Sequence, residues 1–183
     1  MSSPDDTEAM AQRSDWHTDD LEAILHERGW LGRGQRVDDR LREWLERAKA
    51  LLGPHAKTRA ELAALLELVF RYDARELLGR TEVQEALARQ GAREVIRELA
   101  NQVLATGDID SDGFKGIVEA IKASVPYRSR ALFHPIRLAL AGSLGQGELD
   151  RVILLLDSGA KIGFSGRVKS VRERMIEFCA ALD

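Results

Sequence analysis

The apolar residues of this chain recur at intervals of three and four almost from end to end, a spacing that selects helices. Ala, Leu, Arg and Glu dominate and β-branched residues are sparse, which favours helix over strand. Leu21, Ile24 and Leu25 share one face, opened by Thr18 with Asp19 and Asp20 in the first turn and closed by Gly29. Leu41, Trp44, Leu45, Ala48, Leu51 and Leu52 continue until Gly53-Pro54 stops the helix. Thr58 with Glu61 forms a capping box ahead of Leu62, Leu65, Leu66 and Val69. A weaker helix over 82–90 starts after Thr81 and ends at Gly91, and the next runs through Val95, Ile96, Leu99 and Val103 to Gly107. Phe114, Ile117, Val118 and Ile121 give another stripe. Pro135 takes a first-turn position before Ile136, Leu138, Ala139 and Leu140, with Gly142 as terminator. Leu149, Val152, Ile153 and Leu156 form a strongly apolar helix, and Val168, Val171, Met175, Phe178, Cys179 and Leu182 form the last. No segment reads as a strand. The expectation is an all-α fold of about eight to ten short amphipathic helices packed on one another.

A length of 183 residues suits one ordinary domain or two small ones. Turn signals and charges interrupt the helices near 72–82, so two helical subdomains are expected, over 17–78 and 79–183, behind a disordered leader at 1–16. No stretch approaches the roughly 18 apolar residues of a membrane span, which predicts a soluble protein with no membrane partner. The single cysteine, Cys179, excludes an intramolecular disulfide and a cysteine-based zinc cluster, and fits a reducing cytoplasm.

Chemistry-bearing motifs are few. Asp108, Asp110, Asp112, Gly113 and Glu119 match a calcium-loop pattern at every position. Against it, Lys115 stands where an apolar residue is usual, no second loop exists to pair with, and Phe114 already belongs to the helical stripe. A helix starting near 112 would pull Asp108 and Glu119 apart, so acidic helix caps are the better reading and the metal site a weak candidate. His17, His26, His55 and His134 share no ligand spacing, and Cys179 lies on an apolar stripe. Neither a phosphate loop nor a dinucleotide fingerprint occurs, so no cofactor is expected and an active site is improbable. Charge is more informative. The net value of −3 argues against a basic nucleic-acid binder, yet residues 126–183 hold nine basic against six acidic side chains, about +3, leaving about −6 for the rest. Tyr127, Phe133 and Phe164 are interleaved with those cations, the combination used on single-stranded RNA.

The run Phe133-His134-Pro135-Ile136-Arg137-Leu138-Ala139-Leu140-Ala141-Gly142 resembles the "F-x-P-L-R-x-A-L-T-G" stretch in the anticodon-binding region of bacterial glutamyl-tRNA synthetases. The helix from Leu149 to Leu156 is similar to the one that follows in that family, and Lys57-Thr58-Arg59-Ala60-Glu61-Leu62 resembles its "K-T-L-x-E-L". The resemblance implies two helical subdomains that hold a tRNA anticodon loop. It makes Arg137 the principal base or phosphate contact, with Gly145-Gln146-Gly147 and Leu149 lining a base pocket. It places His55 where an arginine reads the third anticodon base, and leaves Arg128, Arg130 and Lys161 as positioning contacts. Ala141 replaces the family's threonine, Gln146-Gly147-Glu148 replaces a Gly-Pro pair and brings a carboxylate toward the RNA surface, and residues 157–167 exceed the family's short turn. The catalytic motifs of the synthetase are absent, so the chain is not an enzyme on its own. It reads as a detached fragment or a freestanding paralogue, monomeric, with tRNA as partner and a separate catalytic chain as a further one. The competing reading is a protein-interaction module with an eroded RNA site; calcium binding over 108–119 comes third.

Overall fold

In the computed structural model, which describes residues 15–183, the apolar spacing becomes helices and, among the described residues, no strand. In chain order these are α1 (Thr18–Glu27), α2 (Asp39–Leu52), a 3-10 turn (Gly53–His55), α3 (Arg59–Phe70), α4 (Ala74–Leu78), α5 (Thr81–Ala88) and α6 (Ala92–Ala105). They continue as α7 (Ser111–Ser124), α8 (Arg130–Ala141), α9 (Gly147–Ile153), α10 (Leu156–Ala160) and α11 (Val171–Leu182). The Thr58–Glu61 capping box forms at the head of α3, where Thr58 Oγ1 accepts from Glu61 N at 3.2 Å. Residues 1–14 of the expected leader lie outside the described residues. Trp16 is anchored: its indole N–H donates to Ala56 O at 3.1 Å, so the leader reading does not hold at that residue.

Several expected boundaries move. The cap of α1 is His17, one residue before Thr18, and Arg80 caps α5, which puts Thr81 inside the first turn. The stripe over 149–156 divides between α9 and α10, and Val168 precedes α11 while remaining buried. The largest shift concerns Pro135, which sits inside α8 because the helix starts at Arg130. The proline removes one amide, whose acceptor would be Ala131 O; Ala131 is exposed and water can serve that carbonyl.

Buried side chains from Leu21 to Phe178 form one continuous apolar cluster, with α6 lying against α7 and α8, α9 against α2, α3 and α8, and α11 against α4, α6 and α8. At one end Trp30 stacks on Phe70 at 4.6 Å between centroids, and Phe164 packs edge-on against Phe70 and Trp44. The long connection between α10 and α11 thereby joins the core, and Ser165 N and Gly166 N both donate to Trp30 O. Buried Asp157 ties the same region together by accepting from Ile109 N at 2.7 Å and Val171 N at 2.8 Å.

One polar group organises the centre. Arg174, fully buried on α11, donates to Leu140 O of α8 at 3.0 Å and to Leu68 O and Val69 O of α3 at 2.9 and 2.7 Å. Its guanidinium carbon lies 4.6 Å from the centre of the Tyr72 ring, and the Tyr72 hydroxyl donates to Ala139 O at 2.5 Å. Burial pushes the guanidinium down to about 10, which leaves it charged at neutral pH. Burial likewise raises the Tyr72 phenol far above its ordinary range.

Replacing this cation strands two buried carbonyls and the half-buried one of Leu68. Arg174→Ala is therefore expected to lower unfolding stability by about 3–5 kcal/mol, and Tyr72→Phe by about 1 kcal/mol. Urea unfolding followed by circular dichroism checks both, and an Arg174→Ala change under 1 kcal/mol, about the worth of one ordinary hydrogen bond, would show that the contact is dispensable.

Candidate nucleic-acid interface

On α8, Leu132, Ile136, Ala139 and Leu140 turn inward, so Arg130, Phe133, His134 and Arg137, three and four residues apart, share the outer face. The segment Leu144 to Gly147, just before and at the start of α9, stands opposite them. Between the two lies a cleft of about 620 Å³ lined by Ser129, Arg130, Phe133, His134, Arg137 and residues 144–147. Three of the expected contacts, Arg137, Arg130 and Gln146, meet here. Leu149 is buried beneath this loop; a Cβ on Gly145 would come within 2.8 Å of a Leu149 methyl, so the backbone lies directly on that side chain.

Arg137 is held in place on three sides. Its Nε and Nη2 donate to the two carboxylate oxygens of Asp150 at 2.8 and 2.9 Å, a bidentate pair, and Nη1 reaches Gly145 O at 3.4 Å. The guanidinium also lies 4.9 Å from the centre of the Phe133 ring. Such a pair fixes the plane of the cation and leaves one N–H on each terminal nitrogen for a further acceptor. The Glu148 carboxylate turns back and accepts from Gln146 N at 3.0 Å, capping its own loop. His134 is held below the ordinary histidine range by desolvation first, and then by the charges of Arg130, Arg89 and Arg137. Ser129 closes the cleft with φ of 50°, a left-handed conformation that a residue with a Cβ adopts under strain.

The remaining expected contacts do not line the cleft. Arg128 caps the end of α7, donating to Lys122 O and Val125 O at 2.8 Å each and to Tyr127 O at 2.6 Å. Lys161 pairs with Asp108 and lines a separate cleft with Arg40, Trp44 and Arg47. His55 is exposed on the 3-10 turn. The calcium-loop carboxylates are dispersed: Asp110 caps α7 through Gly113 N at 2.8 Å, and Glu119 pairs with Lys122 at 2.8 Å. With a rise of ~1.5 Å per residue, α7 carries Glu119 roughly 12 Å along its axis from Ser111. Among the described residues no group of three or more His, Cys, Asp or Glu side chains is placed to hold a metal ion. Of the interleaved aromatics only Phe133 reaches the cleft; Phe164 belongs to the aromatic cluster and Tyr127 covers Gly91. Asp150 and His134 went unassigned from sequence, although His134 stands four residues after Arg130 and three before Arg137, a spacing that places it on their face.

Comparison with known proteins identifies the family. A family model described as an anticodon binding domain matches residues 28–158. Among curated proteins, a glutamate–tRNA ligase of Oceanobacillus iheyensis is 29% identical over 120 residues, covering 66% of this chain and 24% of the ligase. That of Bacillus pumilus is 27% identical over 122 residues, covering 67% and 25%, and that of Bacillus thuringiensis is 29% identical over 125 residues with the same coverage. The chain thus spans about a quarter of the length of these relatives. No solved structure matches. No helix among the described residues is long and apolar enough to cross a membrane.

Two measurements probe the cleft without any ligand. The His134 ring resonances should titrate below the ordinary value of 6.5, and Arg130→Gln should move the midpoint upward by removing a neighbouring charge. An NMR titration reads both, and an unmoved midpoint in Arg130→Gln would place the cations elsewhere. Ser129→Gly should raise unfolding stability by about 1 kcal/mol by relieving the left-handed strain.

Proposed function

The chain belongs to the anticodon binding domain family, and on that premise we propose that its α8–α9 cleft takes the anticodon loop of a tRNA. The observation that carries this reading is Arg137, oriented by Asp150 against Phe133 inside a cleft that also holds Arg130 and Gln146. Anticodon bases are unpaired and splayed, and such bases are recognised by aromatic or guanidinium stacking together with hydrogen bonds to their edges. Phe133 with Arg137 offers the stacking surface, the outer N–H groups of Arg137 and the Gln146 side chain offer the hydrogen bonds, and Arg130 faces the backbone phosphates. The names of the relatives point to tRNA for glutamate as the first candidate.

In this reading the chain is a binding module without an active site of its own. It works in the cytoplasm as a monomer, beside a separate chain that carries aminoacylation chemistry. Residues 17–78 would act as one subdomain and 79–183, which hold the cleft, as the second. His55, Arg128 and Lys161, which do not line the cleft, would then contribute at most outside the base-reading site.

Gel retardation with total tRNA, and with an RNA homopolymer as competitor, tests the reading. Wild-type protein should retain tRNA at micromolar concentration, and Arg137→Ala should weaken binding by roughly 10- to 100-fold, the worth of one good base contact, with unchanged helicity. Asp150→Asn should narrow the preference for tRNA over homopolymer, because Arg137 stays charged and loses its fixed orientation. Absence of retardation by the wild type at tens of micromolar, or wild-type binding by Arg137→Ala, would refute the assignment; the first outcome would favour a protein partner.

A further inference from the structure

A row of unpaired cations lies outside the cleft, in the half of the chain whose formal charge is negative. Arg89 caps α5, and Arg93 and Arg97 follow on α6, all three exposed and four residues apart. They line one shallow depression of about 490 Å³ with Gly91 and Glu94. Among the described residues no carboxylate stands within ion-pair distance of any of them. Glu94, the one acid in the depression, accepts from the Tyr127 hydroxyl at 3.1 Å instead. Arg93 and Arg97 lie about 6 Å apart along one helix face, and like charges at that spacing destabilise a helix. A row of cations that weakens its own helix and pairs with no acid suits a polyanion.

The row neighbours the cleft. α5 and α6 pack on α8, and Arg89 lies close enough to His134 for its charge to bear on that ring together with Arg130 and Arg137. The cations therefore run from Arg137 and Arg130 through Arg89 to Arg93 and Arg97. We propose that Arg89, Arg93 and Arg97 form a phosphate-binding track that carries the RNA backbone away from the base-reading cleft. The inference rests on the RNA-binding reading of that cleft and adds to it a sequence-independent contact on the α5–α6 corner. Phosphate contacts set register and affinity while base contacts set specificity, so the two surfaces have separable signatures.

The test uses the full chain and anticodon stem–loop hairpins that differ only in the anticodon. Two charges are removed in Arg93→Gln with Arg97→Gln, and as a control for net charge in Arg42→Gln with Arg75→Gln, exposed arginines outside both the cleft and the track. For single-stranded contacts each lost phosphate interaction reduces the slope of log affinity against log salt by about 0.7, so the track variant should lose about 1.4. Its deficit relative to wild type should shrink about sevenfold between roughly 50 and 200 mM salt. The deficit should be equal for every anticodon, and Arg93→Lys with Arg97→Lys should restore the slope. An unchanged slope in the track variant while wild type binds the hairpins overturns the track and leaves the cleft reading standing. So does an equal loss in the control pair. Failure of the wild type to bind any hairpin overturns both. If the track variant keeps its RNA slope and loses retention of a polyglutamate peptide, the surface serves an acidic protein and the RNA assignment is wrong.

Discussion

A single guanidinium decides how three helices meet. Helices end in carbonyls that lack intrahelical partners and carry partial negative charge. Two such ends, those of α3 and α8, face each other in the interior, and Arg174 from α11 joins them through Leu68 O, Val69 O and Leu140 O. The arrangement meets the two terminal nitrogens of a buried cation with carbonyls and its face with an aromatic ring, while among the described residues Nε has no hydrogen-bond partner and no carboxylate bonds directly to the group. Around it Tyr72 bridges to Ala139 O, Lys169 donates to Tyr72 O and Glu177, and Glu177 accepts from Ala74 N. The direction of α8, and with it the aim of Arg130 and Arg137 into the cleft, follows from where this junction fixes its C-terminal end.

The helices were largely legible because their signals are local. Apolar spacing, the Thr58–Glu61 box and terminal glycines act within a turn or two, and the structure keeps them with shifts of a residue or so. Pro135 misled because a proline suits a first turn, whereas α8 tolerates it five residues in by leaving Ala131 O to solvent. Arg174 was harder to read, since arginine is ordinarily a surface residue. Its position was nonetheless informative: it stands three residues after Val171, one before Met175 and four before Phe178, within the buried stripe of α11. Asp157 is similar, a carboxylate inside an apolar run whose acceptor role depends on amides distant in sequence. No periodicity encodes such long-range partners.

Charge arithmetic by segment is the weakest guide, because most of these cations are already engaged, largely within their own segment. Of the cations counted in 126–183, Lys161, Arg167 and Lys169 form ion pairs, Arg137 pairs with Asp150, and Arg128, Arg172 and Arg174 donate to backbone carbonyls. The positive surface that stays open is shared with Arg89, Arg93 and Arg97, which belong to the formally acidic half. Field at a surface depends on which charges are left uncompensated in space, and a sum along the chain discards that information.

The Arg174 junction also has a temporal side. Synthesis proceeds from the N-terminus, so α3 and α8 leave the ribosome before the side chain that joins their ends. Tyr72 and Arg174 are 102 positions apart, a long separation for a helical protein, and contacts between distant positions are slow to form. Until α11 arrives, the nascent helices carry buried-to-be carbonyls that only water can satisfy, and their mutual angle is unset. The docking of α11 supplies the side chain that joins the ends of α3 and α8 and so fixes the helix that carries Arg130 and Arg137.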